Sequence, residues 1–285
     1  MGNVGVIIGE RRQMKKVLIA SVVITAAIVL AAAQARAQGW PPVLDGDGWS
    51  PLASDNFNSY AAGPLVGNVG SPWVAYSGTT PNNVNASGQD VVTDLNSQDV
   101  GLPFSGTHSS DVIYAGFDVN QTSMTANINS YFAHFKDGST FNFFGRVWVS
   151  NSAPGTVKFG ITNSGAYSNA VYFSSAVATG TWNRLILEVD QTGASLQSSL
   201  WLGPINDLNP GDFTQILAND GTTASGMGFS QFSLRQASSS TGAGIELLDN
   251  LIVGTTFTDV VPEPSTVLLV SMGMLGLFAA RRRRS

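Results

Sequence analysis

Across residues 40–259 the apolar positions fall in short alternating runs separated by turn-forming residues, and no stretch keeps a 3.6-residue period. In residues 182–190, Leu185, Leu187 and Val189 share one face while Arg184, Glu188 and Asp190 share the other. That run predicts a strand with a core face and a solvent face. In residues 141–150, strict alternation sets Phe141, Phe143, Gly145, Val147 and Val149 against Asn142, Phe144, Arg146, Trp148 and Ser150. Both faces are then partly covered, as in a strand inside a sandwich. Further strands are predicted at 112–119, 157–162, 170–174, 229–235 and 246–253, with turns at 151–155 and 238–244. Many short strands without helices between them predict an all-β antiparallel sandwich or barrel, and the lack of a 20–50-residue repeat argues against a propeller or solenoid.

The two ends follow a different pattern. Met14-Lys15-Lys16 leads into an uncharged run over 17–33 and then Ala35-Arg36-Ala37, the order of basic, apolar and cleavage regions in a secretory signal. Cleavage by signal peptidase after Ala37 makes Gln38 the new N-terminus, and Met14 reads as the natural start. At the other end Pro262-Glu263-Pro264 precedes a transmembrane helix predicted over 265–280 and the cluster Arg281, Arg282, Arg283, Arg284. The prolines keep the junction extended, and the arginines hold their end in the cytoplasm. The uninterrupted apolar part, 267–280, spans about 21 Å as a helix against a hydrocarbon core of about 30 Å, which suits transient membrane insertion better than a lifelong anchor. The expected division is a signal peptide at 1–37, a lead-in at 38–53, a sandwich domain at 54–260 and a sorting tail at 261–285.

Charge sharpens this division. Nine of the 14 Lys and Arg lie in the terminal segments, so residues 38–261 hold five basic residues (Lys136, Arg146, Lys158, Arg184, Arg235) against 17 acidic ones, a formal charge of −12. A domain of that sign repels nucleic acid. With no cysteine the chain has no disulfide, no thiolate metal site and no Cys nucleophile, and at this length a hydrophobic core suffices without staples.

Pro262-Glu263-Pro264, the apolar segment and the arginine cluster together resemble the PEP-CTERM sorting signal recognised by exosortases. The resemblance covers the last 24 residues. It implies that Pro262, Glu263 and Pro264 are recognition residues near which a membrane-embedded transpeptidase cuts. It further implies an inner-membrane intermediate, a final place at the cell surface or in the extracellular matrix, and a Gram-negative host that makes exopolysaccharide. Residues 54–260 resemble concanavalin-A-like and laminin-G-like jelly rolls, on the stretches Asp55-Asn56-Phe57-Asn58-Ser59-Tyr60, Gly63-Pro64-Leu65, 97–100, 131–135, 158–163 and Leu248-Asp249-Asn250-Leu251-Ile252-Val253. Similar domains end on such a strand, set close to the first one.

The candidate chemistry is thin. Glu188-Val189-Asp190 places two carboxylates on one face, but Gln191 and Thr192 stand where a glycosidase of this fold needs its second Glu, so both read as solvated residues beside Arg184. His108 and His134 have no ligand at metal-binding spacing, and no Ser sits in a G-x-S-x-G elbow. Asp45-Gly46-Asp47-Gly48 resembles part of a calcium loop but lacks the further oxygen ligands and the closing Glu. It reads as a turn-rich lead-in. No cofactor is expected, with calcium the one alternative. The six tryptophans, Trp40, Trp49, Trp73, Trp148, Trp182 and Trp201, serve as core or as stacking platforms for sugar rings. The leading expectation is a non-enzymatic exported protein associated with extracellular polysaccharide. A lectin-like carbohydrate-binding module is the alternative, and a divergent glycoside hydrolase comes third.

Overall fold

The computed structural model describes residues 51–78, 83–94, 98–124, 129–139, 142–205, 210–221, 223–236 and 244–261. The predicted signal peptide, Asp45 to Gly48, Trp40, Trp49 and everything from Pro262 onward lie outside the described residues. In chain order the strands begin with β1 (Ala53–Asp55), β2 (Gly63–Pro64), β3 (Val74–Ser77), β4 (Asn85–Ala86), β5 (Val91–Thr93) and β6 (Asp99–His108). Next come β7 (Val112–Ser123), β8 (Asn129–Asp137), β9 (Phe143–Ala153), β10 (Thr156–Thr162), β11 (Val171–Tyr172) and β12 (Val177–Ala178). The last are β13 (Trp182–Asp190), β14 (Ser195–Gly203), β15 (Thr214–Leu217), β16 (Thr223–Ala224), β17 (Phe229–Arg235) and β18 (Ile245–Gly254), before the one-turn helix α1 (Phe257–Val260).

Two antiparallel sheets result. The first runs β15-β14-β13-β7-β18-β5-β4-β2, with β1 on β18 and β16 on β14, and the second runs β11-β10-β9-β8-β17-β6-β3, with β12 on β10. The expected all-β sandwich is therefore present. The first and last strands pair as the sequence led us to expect, Ala53 opposite Val253 and Asp55 opposite Leu251. Asp55 also ties the first loop together: its carboxylate accepts from Phe57 N, the Tyr60 hydroxyl and Trp73 Nε1 at 2.8, 2.5 and 2.7 Å. Between the sheets lies an aromatic core in which Phe117 of β7 meets Phe132 of β8 and Phe232 of β17 at centroid distances of 6.3 and 5.5 Å. Leu185, Leu187 and Val189 of β13 are fully buried in the same core. Rings of this size supply most of the burial that holds such a sandwich.

Of the predicted solvent face of β13, Glu188 and Asp190 are partly exposed but Arg184 is not. Arg184 and Ile186 are both fully buried, because the chain's own C-terminal segment crosses the outer face of the first sheet. Arg184 Nη1 donates to Asp118 Oδ1 at 3.0 Å and to the Asn250 carbonyl at 2.8 Å, while Nη2 donates to the Val260 carbonyl at 2.8 Å. Asn250 Nδ2 closes the ring on Asp118 Oδ2 at 2.8 Å. The segment can lie this close because position 116 is glycine: a Cβ there would stand 2.5 Å from the Val260 carbonyl oxygen. Thr256 and Asp259 form a reciprocal capping box on α1, and Phe257 packs on Tyr114 and Trp201 at 6.0 and 5.2 Å. Val260 and Val261 are thus sealed against the sheet immediately before the tail.

Removing one member of a buried ion pair leaves the other charged and unpaired, at a cost of about 3–5 kcal/mol. We expect Arg184→Met to lower the stability of the domain by that amount in urea unfolding, and the double change Arg184→Met with Asp118→Leu to lower it by less. Equal losses in both would show that the pair itself is not what holds the segment.

Candidate functional site

The site begins with a break in alternation on β9. Gly145 has φ of +61° and its α-carbon faces Leu187 and Val189 in the core, so a residue is inserted into the strand and its phase changes. Phe144 joins the core against Phe229, whereas Phe143 turns outward together with Arg146 and Trp148. This corrects the face assignment that strict alternation predicted, in which Phe143 sat with Val147. A second irregularity on β8, between Tyr131 and Ala133, places Tyr131, His134 and Lys136 on the same outer face.

Four strands then combine into one layer over the second sheet. Tyr131 stacks edge-on against Trp148 at 5.1 Å and against His134 at 5.6 Å, and His134 lies 4.6 Å from Phe143. Tyr76 of β3 meets Phe143 at 6.0 Å, and its hydroxyl is 3.1 Å from His134 Nε2. The cations sit on these rings: Arg235 of β17 over Tyr131 at 4.3 Å, Arg146 over Tyr131 at 5.1 Å, and Lys136 over Tyr76 at 5.0 Å. Backbone carbonyls hold the cations in place. Arg235 donates to Tyr131 O, Arg146 to Gly165 O, and Lys136 to the carbonyls of Asp137 and Ser139. Tyr76, Tyr131, Phe143, Arg146 and Arg235 are half-buried, and Tyr167, beside Trp148, is 54% exposed.

Electrostatics follow from the crowding. Burial, helped by Arg146, Arg235 and Lys136, holds His134 well below the ordinary imidazole range, so it is neutral. Its Nδ1 has no hydrogen-bond partner among the described residues. Burial also lowers Arg146, with Arg235 adding to the effect, and pushes the nearby Asp99 carboxyl up to about 6 although Arg235 draws it down. Cations lie over the rings of Tyr76, Tyr131 and Phe143, so the layer presents guanidinium N–H groups between aromatic rings, with the exposed ring of Tyr167 beside them.

The residues singled out from sequence are placed elsewhere. Glu188 is half-buried on the first sheet with the Tyr114 hydroxyl, burial raises its pKa, and Arg184 pairs with Asp118 instead. Asp190 accepts from Thr192 N and Oγ1 at 2.8 and 2.7 Å, which makes it a turn cap. His108 binds Asp111 at 2.7 Å in the hairpin between β6 and β7. Trp73 is core, Trp201 packs under α1, and Trp148 lies beneath the aromatic layer with its Nε1 on Thr162 Oγ1 at 2.9 Å. Among the described residues no group of three His, Cys, Asp or Glu side chains is placed to hold a metal ion. No helix among them is long and apolar enough to cross a membrane.

With fold and site in view, the protein is an antiparallel β-sandwich followed by a sorting tail. Residues 260–284 match the PEP-CTERM protein-sorting motif, which implies export and processing by an exosortase. No curated protein matches the chain. Among solved structures it is similar to an endo-1,3-beta-glucanase from Streptomyces sioyaensis, at 13% identity over 75% of this chain and 97% of the other, with a TM-score of 0.45. It is also similar to lectin II from Ulex europaeus, at 9% identity over 72% and 99% with a TM-score of 0.42. A third is peanut lectin, at 14% over 70% and 96% with a TM-score of 0.40.

The buried titratable groups set the pH response of the domain. Burial pushes Glu246, held by Thr93 Oγ1 at 2.7 Å, up to about 7, and does the same to Asp249, where Asp118 adds its charge. Together with Asp99, these groups bind protons in the folded state at pH values where the unfolded chain, titrating near 4, has released them. Each therefore favours folding as pH falls from about 7 toward 4.5. His134 acts oppositely below about 6.5. Three carboxyls outweigh one imidazole, so the midpoint of thermal unfolding is expected to be higher at pH 5 than at pH 7.5. Glu246→Gln should reduce that difference and raise stability at pH 7.5. A midpoint that falls on acidification would contradict this balance.

Proposed function

We propose that this chain is an exported protein held at the cell surface or in the extracellular matrix of a Gram-negative bacterium, where its sandwich domain binds polysaccharide without transforming it. Signal peptidase removes residues 1–37 at Ala35-Arg36-Ala37, leaving Gln38 first. The tail from 265 to 284 then holds the protein in the inner membrane until an exosortase acts near Pro262, Glu263 and Pro264, with Arg281, Arg282, Arg283 and Arg284 as the stop. The observation that carries the binding reading is the half-buried layer of Tyr76, Tyr131 and Phe143, continued by exposed Tyr167, on the outer face of the second sheet. A binding rather than catalytic role is supported by the burial of His134, which is bonded to Tyr76 and has no exposed surface.

Two measurements test this reading. Tyr131→Ala or Phe143→Ala should weaken retention of the protein on the host's own exopolysaccharide at least tenfold, about 1.4 kcal/mol, without releasing reducing ends from it. Liberation of oligosaccharides by the parent protein would replace the binding reading with an enzymatic one. For the tail, alanine at 262, 263 and 264 should leave the protein membrane-bound and uncut, while deletion of 265–285 should send it out with no membrane stage. Fractionation and mass measurement of the extracellular form distinguish these outcomes, and an alanine variant trimmed like the parent would remove the exosortase step.

A further inference from the structure

We propose that the ligand of this face is an acidic polysaccharide bearing carboxylates, a polyuronate, rather than a neutral glycan; this rests on the polysaccharide-binding reading above. Residues 38–261 hold only five basic residues, and their distribution is lopsided. Arg184 is consumed in the buried pair with Asp118. The other four all belong to the second sheet's outer face: Lys136, Arg146 and Arg235 in the aromatic layer, and Lys158 on β10, flanked by the core residues Val157 and Phe159. Lys136 is buried with its ammonium on two backbone carbonyls, so a domain with an excess of 12 negative charges presents Arg146, Arg235 and Lys158 together on one surface.

Those cations have acidic neighbours only at longer range, Asp137 near Lys136, Asp220 near Arg146 and Asp99 near Arg235. Among the described residues none of Lys136, Arg146 and Arg235 has a carboxylate within 4.0 Å, the only ion pairs being His108–Asp111 and Arg184–Asp118. The acids that face the layer are engaged by other donors. Asp220 accepts from the backbone N of Asn163, Ser164 and Gly165 at 2.5, 3.0 and 2.6 Å, and Asp137 accepts from Ser139 N and Asn142 Nδ2, both at 2.8 Å. Asp99 is buried and receives Gln236 N at 3.1 Å. Arg146 and Arg235 share the ring of Tyr131, so two guanidinium groups stand within the span of one side chain and repel each other. An anion on this surface relieves that repulsion, and the planar guanidinium fork suits a carboxylate in particular. The aromatic rings beside the forks take the apolar side of the same sugar unit. A nucleic acid, with its continuous line of phosphates, would meet the acidic remainder of the domain on either side of so small a patch.

The test uses the full chain in a mild non-ionic detergent, titrated with sodium alginate, neutral dextran and duplex DNA at 50 and 500 mM NaCl. Alginate is expected to bind at 50 mM salt and to weaken at least tenfold at 500 mM, with dextran and DNA bound at least tenfold less tightly. Arg146→Gln should weaken alginate binding at least tenfold while leaving the urea midpoint within error. The salt series on the unaltered chain keeps the proposal testable even if that variant folds poorly. Salt-insensitive binding of dextran as tight as alginate would overturn the acidic ligand while keeping a glycan site. Binding to neither polysaccharide, with the host's own exopolysaccharide also not retained, would overturn both. DNA binding equal to alginate would show a general polyanion patch and overturn the assignment to a sugar.

Discussion

The guanidinium of Arg184 is the constraint on which the outer half of the first sheet depends. It is the largest side chain wholly removed from solvent, and burying it is tolerable only because Asp118 and the carbonyls of Asn250 and Val260 replace the lost water. Those partners come from β7, from the irregularity in β18 and from the last turn before the tail. The same group therefore ties β7 and β18 to the turn of α1. Gly116 belongs to the same device, since any side chain there would displace Val260.

This closure also explains why the two outer faces differ. The first sheet is crossed by its own C-terminal segment, where Phe257 gathers half-buried Tyr114 and Trp201 with buried Phe213 into an aromatic patch. The second sheet has no such cover among the described residues. Its rings remain half-buried, with cations laid across them. Cation–π contact is what makes so dense a positive cluster stable, because each ring supplies negative potential without a carboxylate.

Much of the fold could be read from the sequence because the signals were local. Residues 182–190 and 229–235 form strands with the predicted limits, and the last strand lies beside the first as its Leu248 to Val253 run implied. The tail motif is likewise contiguous. What failed was the inference from alternation to face. Arg184 looked solvated since nothing in its neighbourhood announces that a segment some 76 residues later will cover it. Phe143 looked like core because Gly145 read as an ordinary strand residue, whereas its left-handed φ shifts the phase. The candidate site was invisible for a further reason: Tyr76, Tyr131, His134, Arg146 and Arg235 come from four strands and obey no common spacing.

These two failures have the same physical origin, and together they bear on how the chain divides its labour. The sorting motif is written in contiguous residues, 260–284. The layer on the second sheet is the opposite, a surface on which groups distant in sequence are brought to fixed separations. Such a surface requires strands whose outward residues are set by bulges and by long-range burial, the features that strict periodicity hides. Val260 and Val261 are sealed against the first sheet, beside the start of the matched motif at residue 260. Removal of the tail then leaves the second sheet and its cationic layer unaltered, because none of the contacts that build that layer involves the segment after Ile245.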